Sequence, residues 1–191
     1  MGINTAFFGG VGRALASPHY RLYASGHVAN TLGWWGNRLG VGWLTWELTG
    51  SAGLLGVIAF AGMIPVALIA PIAGVLADRY GHRRVAILAG VTGGTFTLLM
   101  ALITLDGAMT IPVLLFLSIL QGVAFGVEFP ARQALIPQLC KPENVPAALA
   151  FNSTSFQVGT FLGPVLAGFL IEKYGSGASI LLFALTNYWM A

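Results

Sequence analysis

The stretch GVLADRYGHRR, residues 74–84, holds Asp78, Arg79, Arg83 and Arg84, and so three of the seven arginines in the chain. It closes a thirty-residue run, Leu48 to Ala77, that carries no charge at all. A helix rises about 1.5 Å per residue, so about 20 apolar residues cross the roughly 30 Å hydrocarbon core of a bilayer. The run before Asp78 is long enough to span, and the charges after it mark a return to water.

The same spacing recurs along the chain. The charge-free gaps are 22–37, 48–77, 85–105, 107–127, 144–171 and 174–191. Admitting Arg38 into the first gap predicts six spans at 22–46, 54–77, 84–105, 110–131, 145–171 and 177–191, the last cut short, behind an N-terminal segment 1–21. The fold class expected is an all-α integral membrane protein. Composition agrees: 57% of residues are hydrophobic, 8% are charged and the mean hydropathy is +0.82. A soluble domain carries roughly 25% charged residues to keep its surface wetted. A net charge of +3 is too small for a nucleic-acid surface. The single cysteine, Cys140, excludes an internal disulfide. No leader peptide is evident in residues 1–20, and Ala6 stands where a myristoylation start needs Ser or Thr.

Lysine and arginine concentrate on the cytoplasmic side of membrane proteins. With the N-terminus in the cytoplasm, the inner connections hold Arg13, Arg21, Arg79, Arg83, Arg84, Arg132 and Lys141, and the outer ones hold only Lys173. The 74–84 segment then becomes the inner loop between spans 2 and 3. The chain also echoes itself: GVLADRYG at 74–81 returns as GFLIEKYG at 168–175. The offset of 94 residues corresponds to three spans. An odd number of crossings reverses direction, which is the pattern of a three-plus-three inverted repeat.

The spacing Gly74-x-x-x-Asp78-Arg79-x-Gly81-x-Arg83-Arg84 resembles the loop 2–3 signature of the major facilitator superfamily at every specified position. The resemblance implies a conformational latch, with Asp78 as its carboxylate, Arg79, Arg83 and Arg84 as its cations, and Gly74 and Gly81 permitting close packing and a tight turn. Gly159, Gly163, Pro164 and Gly168 resemble the span-5 motif of exporters and antiporters in that superfamily, with Ala167 replacing a usual glycine. WLTWELTGSAGLLG (43–56) and FPARQALIPQL (129–139) resemble the bacterial branch of enterobactin exporters and drug-efflux proteins. Taken together, these resemblances imply the N-terminal six-helix half of a twelve-helix transporter in a bacterial inner membrane. Its partners would be the lipid bilayer, a small-molecule substrate, a C-terminal six-helix half and a coupling ion such as a proton. An uptake permease, or a six-helix fragment that needs a partner to transport, are the alternative readings. Where many proton-coupled relatives carry an arginine three residues before Gln121-Gly122, this chain has Ser118.

Polar side chains inside a span usually face a cavity or a partner, because an isolated arginine there costs about 2.5–3.5 kcal/mol. Arg38, with Asn37 and Asn30 on the same span, reads either as an anion-binding group in a substrate cavity or as an arginine held for structure. Gln121 and Asn152 are further cavity candidates or interhelical hydrogen-bond formers. Glu128 and Arg132 stand four residues apart, the spacing of a local ion pair, with Pro130 between them expected to distort the turn. His19, His27 and His82 are scattered without metal-ligand spacing, and no phosphate-binding loop is present. No catalytic residue, metal or cofactor is expected.

Overall fold

A computed structural model describes residues 9–190. The readings made for residues 1–8 and for Ala191 lie outside the described residues. Among the described residues every regular element is helical: α1 (Gly9–Leu15), α2 (Pro18–Thr49), α3 (Ala52–Tyr80), α4 (His82–Leu105), α5 (Ile111–Gln133), α6 (Ile136–Leu139), a 3₁₀ turn (Pro142–Asn144) and α7 (Val145–Met190). Four of them, α3, α4, α5 and α7 with the turn before it, are long and apolar enough to cross a membrane. The polar content of α2, from Arg21 through Arg38 to Glu47, keeps it outside that group although it is 32 residues long.

Local chemistry sets the boundaries. Pro18 opens α2, where a missing N–H costs nothing, and α2 stops at Gly50, whose left-handed backbone (φ 60°) lets its N–H reach Trp46 O. Ser51 caps α3 by accepting from the Leu54 N–H at 3.3 Å. The break after α3 is Gly81 (φ 90°), and α4 begins at the next residue. α7 is divided in the same way at Gly175 (φ 82°, ψ 168°), giving a first arm up to Tyr174 and a second from Ser176. The charge spacing predicts a connection at 172–176. Instead the helix carries Glu172 and Lys173 in its own last turn, and one glycine makes the break. The two sequence echoes share local geometry as well. Each ends in a positive-φ glycine, and each has a cation over the following tyrosine ring, Arg79 on Tyr80 at 5.6 Å and Lys173 on Tyr174 at 5.3 Å.

Apolar burial drives little association between helices in lipid, so close backbone approach and hydrogen bonds must hold the bundle. Small residues supply that approach. α2 lays Gly33, Gly36 and Gly40 against Thr186, Phe183 and Ile180 of the second arm of α7, an antiparallel register. Its Thr31 and Trp35 lie against Gly159 and Gly163 of the first arm, a parallel register. α5 sets Gly122 and Gly126 against Gly62, Pro65 and Val66 of α3, again in parallel. These two parallel seams correspond. Pro65 and Ile69 moved on by the 94-residue offset become Gly159 and Gly163, and Thr31 and Trp35 moved on by 91 become Gly122 and Gly126.

The glycines of the quoted motifs divide. Gly159 and Gly163 are packed, but a methyl group on Gly74 or Gly168 would meet nothing within 4 Å. The close approach expected at Gly74 is therefore not made among the described residues. α3 is the most open helix. It buries only Ile58, Pro65, Ala73 and Ala77, and turns Phe60, Leu68 and Val75 outward.

Candidate functional site

Two polar centres lie along α2. The first is a cavity of about 220 Å³ between α2, α3 and α5, with Asn37 and Arg38 on one wall and Ser118 and Gln121 on another. Trp34, Ile58 and Leu55 make its sides apolar. The amide of Asn37 donates to Gln121 Oε1 at 3.2 Å, and Gln121 Nε2 donates to Thr97 Oγ1 at 2.6 Å. Thr97 is fully buried and gives its only hydroxyl proton to Gly93 O at 3.0 Å, so toward Gln121 it can only accept. In this arrangement Asn37 presents its N–H₂ to Gln121, which leaves Asn37 Oδ1 a buried acceptor without a partner among the described residues. Ser118 Oγ is buried and unpartnered as well. Arg38 lies over the Trp35 ring at 5.6 Å, and among the described residues its Nη2 reaches only the Met63 thioether at 3.6 Å.

The second centre is ionic and buried. Arg132 Nη1 donates to Glu128 Oε1 at 2.7 Å and to Asn30 Oδ1 at 2.8 Å, and Nη2 stands 3.1 Å from His27 Nδ1. Because a guanidinium only donates, Nδ1 must accept, which leaves the other ring nitrogen to carry the proton of a neutral His27. That Nε2–H points at Asn152 O, 3.2 Å away. Tyr20 Oη stands 2.9 Å from Ala148 O and 3.0 Å from Asn152 Oδ1, and Asn30 Nδ2 donates to Asn187 Oδ1 at 3.1 Å. The network joins α2, α5 and both arms of α7. Pro130, expected to distort the Glu128–Arg132 turn, does not prevent the pair, since α5 stays helical to Gln133. Both side chains are buried.

The five cavity candidates are thereby separated. Asn37, Arg38 and Gln121 line one cavity, whereas Asn30 and Asn152 belong to the ionic network. Trp34 stands between the centres, stacked on Phe125 at 3.8 Å, and lines both the large cavity and a much smaller one beside His27 and Arg132. Sequence reasoning missed His27, Tyr20 and Thr97 as participants. Their partners lie 24 to 132 residues away, at no spacing that one helix could signal.

The 74–84 segment sits at the α3–α4 corner. Asp78, its side chain 77% exposed, stands 3.4 Å from His82 Nε2, and Arg79, Arg83 and Arg84 are exposed with no carboxylate partner among the described residues. Gly159 and Gly163 carry the seam to α2, and Pro164 lies inside the first arm of α7. Among the described residues no three His, Cys, Asp or Glu side chains gather.

Comparison with known proteins matches the family described as Major Facilitator Superfamily over residues 23–188. The "Staphyloferrin A transporter" of Staphylococcus aureus is 27% identical over 158 residues, 82% of this chain and 40% of that protein. The "Multi-drug resistance efflux pump PmrA" of Streptococcus pneumoniae is 37% identical over 115 residues, 59% of this chain and 27% of the pump. The "Putative multidrug resistance protein MdtD" of Escherichia coli is 34% identical over 110 residues, 58% of this chain and 22% of that protein. The chain thus spans two-fifths or less of the length of these relatives. No solved structure matches it.

Proposed function

Because the chain belongs to the Major Facilitator Superfamily, a family of membrane transporters and not of enzymes, we propose that it is the N-terminal six-helix half of a secondary transporter that moves a small molecule by alternating access. The six spans are α2, α3, α4, α5 and the two arms of α7, arranged as a three-plus-three inverted repeat. The observation that carries this reading is the pair of corresponding seams. α3 on α5 and α2 on the first arm of α7 use matching registers, at offsets of 94 and 91 residues, as two three-helix units related by a pseudo-two-fold axis would. A second six-helix half would cover the open wall of the Asn37–Arg38 cavity and the outward face of α3.

In this reading the substrate site is the Asn37, Arg38, Ser118 and Gln121 cavity. The latch is Asp78 with Arg79, Arg83 and Arg84, which lie exposed and ready to bind across to the other half. Gly159, Gly163 and Pro164 hold the first arm against α2 so that the half moves as one body. With Ser118 in place of an arginine, the coupling ion, a proton, would be handled by the ionic network. There Glu128 and His27 flank Arg132, and Tyr23 and Asn30 close the site from α2. The direction proposed is export from a bacterial cytoplasm across the inner membrane, N-terminus inside, of a siderophore-like or drug-like solute, in line with the names of the relatives.

The test is the complete gene product in vesicles of defined orientation under an imposed proton gradient. Asp78→Asn should slow turnover severalfold while substrate affinity stays within about twofold, since the latch biases the balance of states and not the site. Unchanged turnover removes the latch role. Solute accumulation on the cytoplasmic face would make the protein an importer.

A further inference from the structure

We propose that Glu172 and Lys173, ahead of the Gly175 break in α7, form a second latch surface at the end of the bundle opposite the α3–α4 corner. It binds a neighbouring cation and carboxylate on the other six-helix half when the outer face of the transporter is closed. The proposal rests on the transporter reading above, in which the Asp78 corner holds the cytoplasmic face closed.

The two corners correspond over more than their eight-residue echo. α3 and the first arm of α7, offset by 94 residues, turn the same positions inward and outward. Pro65 and Gly159 are buried, and so are Ala73 and Ala167, whereas Val75 and Phe169 are 66% and 67% exposed. The face of α3 that the other half would cover thus has a counterpart on the first arm. Each face ends in an exposed acid and base, Asp78–Arg79 and Glu172–Lys173. Contacts put the two ends on opposite sides of the bundle. Ser176 Oγ donates to Glu47 Oε2 at 2.8 Å, near the end of α2, and a methyl group on Gly177 would sit 3.2 Å from Leu105 N at the end of α4. The Asp78 corner lies instead at the start of α4, a helix of 24 residues, and so about 36 Å away.

The differences between the corners define what the second one binds. At the first, His82 stands 3.4 Å from Asp78. Its counterpart Ser176 is turned to Glu47, whose other oxygen accepts from Trp43 Nε1 at 2.8 Å. Glu172 and Lys173 therefore have no ion-pair partner among the described residues. Gly177 stands in the place of Arg83, where Leu105 leaves little room for a side chain, and Ala178 in the place of Arg84. The first corner thus sets one carboxylate among three guanidiniums and favours an acidic partner surface, whereas the second presents one charge of each sign. An arginine or lysine beside an acid on the facing half satisfies both. Because Ser176 and Gly177 fasten this corner to the ends of α2 and α4, a contact made there moves the half as one body.

The experiment uses the complete transporter carrying Cys140→Ser and a reporter, Ala59→Cys, on the wall of the α2–α3–α5 cavity. A membrane-impermeant maleimide is added to one face at a time in vesicles of each orientation, and the ratio of outside to inside labelling rates reports the balance of states. Glu172→Gln and Lys173→Gln should each raise that ratio about two- to fivefold, the size of one wetted ion pair. Glu172→Asp, which keeps the charge, should stay near the parent, and Asp78→Asn should lower the ratio. Both side chains are exposed and outside the packed seams, and Lys173→Gln decides the matter if Glu172→Gln fails to fold. A variant that merely loosens the bundle speeds labelling from both faces and leaves the ratio where it was. An unchanged or lower ratio in the two Gln variants overturns the second latch, and a fall in Asp78→Asn alongside it leaves the first latch standing. A rise in the two Gln variants with no change in Asp78→Asn keeps the second latch and removes the first.

Discussion

Replacing Gly163 and Gly168 by alanine, one at a time, separates two residues that one sequence motif treats as equals. A methyl carbon on Gly163 would sit 2.7 Å from Trp35 Cβ, 2.8 Å from Leu32 O and 3.0 Å from Gly36 N. Carbon contacts are comfortable at about 3.5–4.0 Å, so the shortfall is about 1 Å. None of these three atoms is the free end of a flexible side chain, so relief requires the first arm of α7 to move away from α2. The same α2 surface also seats the second arm through Gly33 and Gly36. Overpacking of this kind costs about 1–3 kcal/mol. A methyl group on Gly168 meets nothing within 4 Å. Each glycine lies inside a helix, and each replacement gains a similar propensity of about 1 kcal/mol. The difference between the two variants therefore isolates the clash. At about 2–4 °C per kcal/mol for a chain of this size, Gly163→Ala should melt about 2–12 °C below Gly168→Ala. Heating the detergent-solubilised protein and measuring the monodisperse fraction by size exclusion reads this out. Equal melting temperatures, or a lower one for Gly168→Ala, would show that the α2 seam does not depend on the glycine at 163.

The polar centres and the segment between α5 and α7 carry further expectations. Glu128→Leu leaves Arg132 buried beside Asn30 and His27 without its counter-charge and should cost about 3–5 kcal/mol. Adding Arg132→Met should restore part of the lost monodisperse yield, and a double variant worse than the single would refute the pairing. Thr97→Val removes the acceptor that orients Gln121 and leaves the Gln121 N–H₂ without it, which should cost about 1–3 kcal/mol and lower the melting temperature; an unchanged melting temperature would show that Gln121 does not depend on Thr97. Cys140, between α6 and the 3₁₀ turn, has its thiol pushed up by burial and donates toward Ile136 O at 3.5 Å. Only the thiolate reacts, so its alkylation by iodoacetamide near pH 8 should be slower than that of free cysteine and should accelerate at higher pH. A rate equal to free cysteine at pH 8 would contradict this.

The helix pattern was legible because charge is so scarce: an Asp or Arg in this chain marks water almost every time. The exceptions are instructive. Glu172 and Lys173 marked the end of a helix and not a loop, because a long side chain in the last turn can reach water and Gly175 alone supplies the break. Glu128 and Arg132 marked no water at all, because each neutralises the other inside the bundle. Glycine spacing announced close packing without saying where: Gly126, outside any quoted motif, is packed, while Gly74 and Gly168, inside two, are open. His27 offered no signal, being an isolated histidine until α5 and α7 bring Arg132 and Asn152 to it. Ser118 stands where many relatives carry an arginine, and only the fold shows it lining a cavity with Arg38 and Asn37.

The network around α2 also imposes an order on synthesis. Among the described residues every polar side-chain partner of α2 beyond α3 is translated much later, from Gln121 at 84 residues beyond Asn37 to Asn187 at 157 residues beyond Asn30. At about 5–20 residues per second, this delay is roughly 4–30 s. During it α2 holds Asn30 and Asn37 without these partners, and Arg38 meets only Trp35 and Met63, whereas α3, emerging directly behind it, can rest in lipid by itself. The first span made is thus among the last to become stable in place. A nascent chain halted before Val145 would leave α2 to the insertion machinery, and release of α2 into the bilayer should coincide with completion of α7 and not with its own exit from the ribosome.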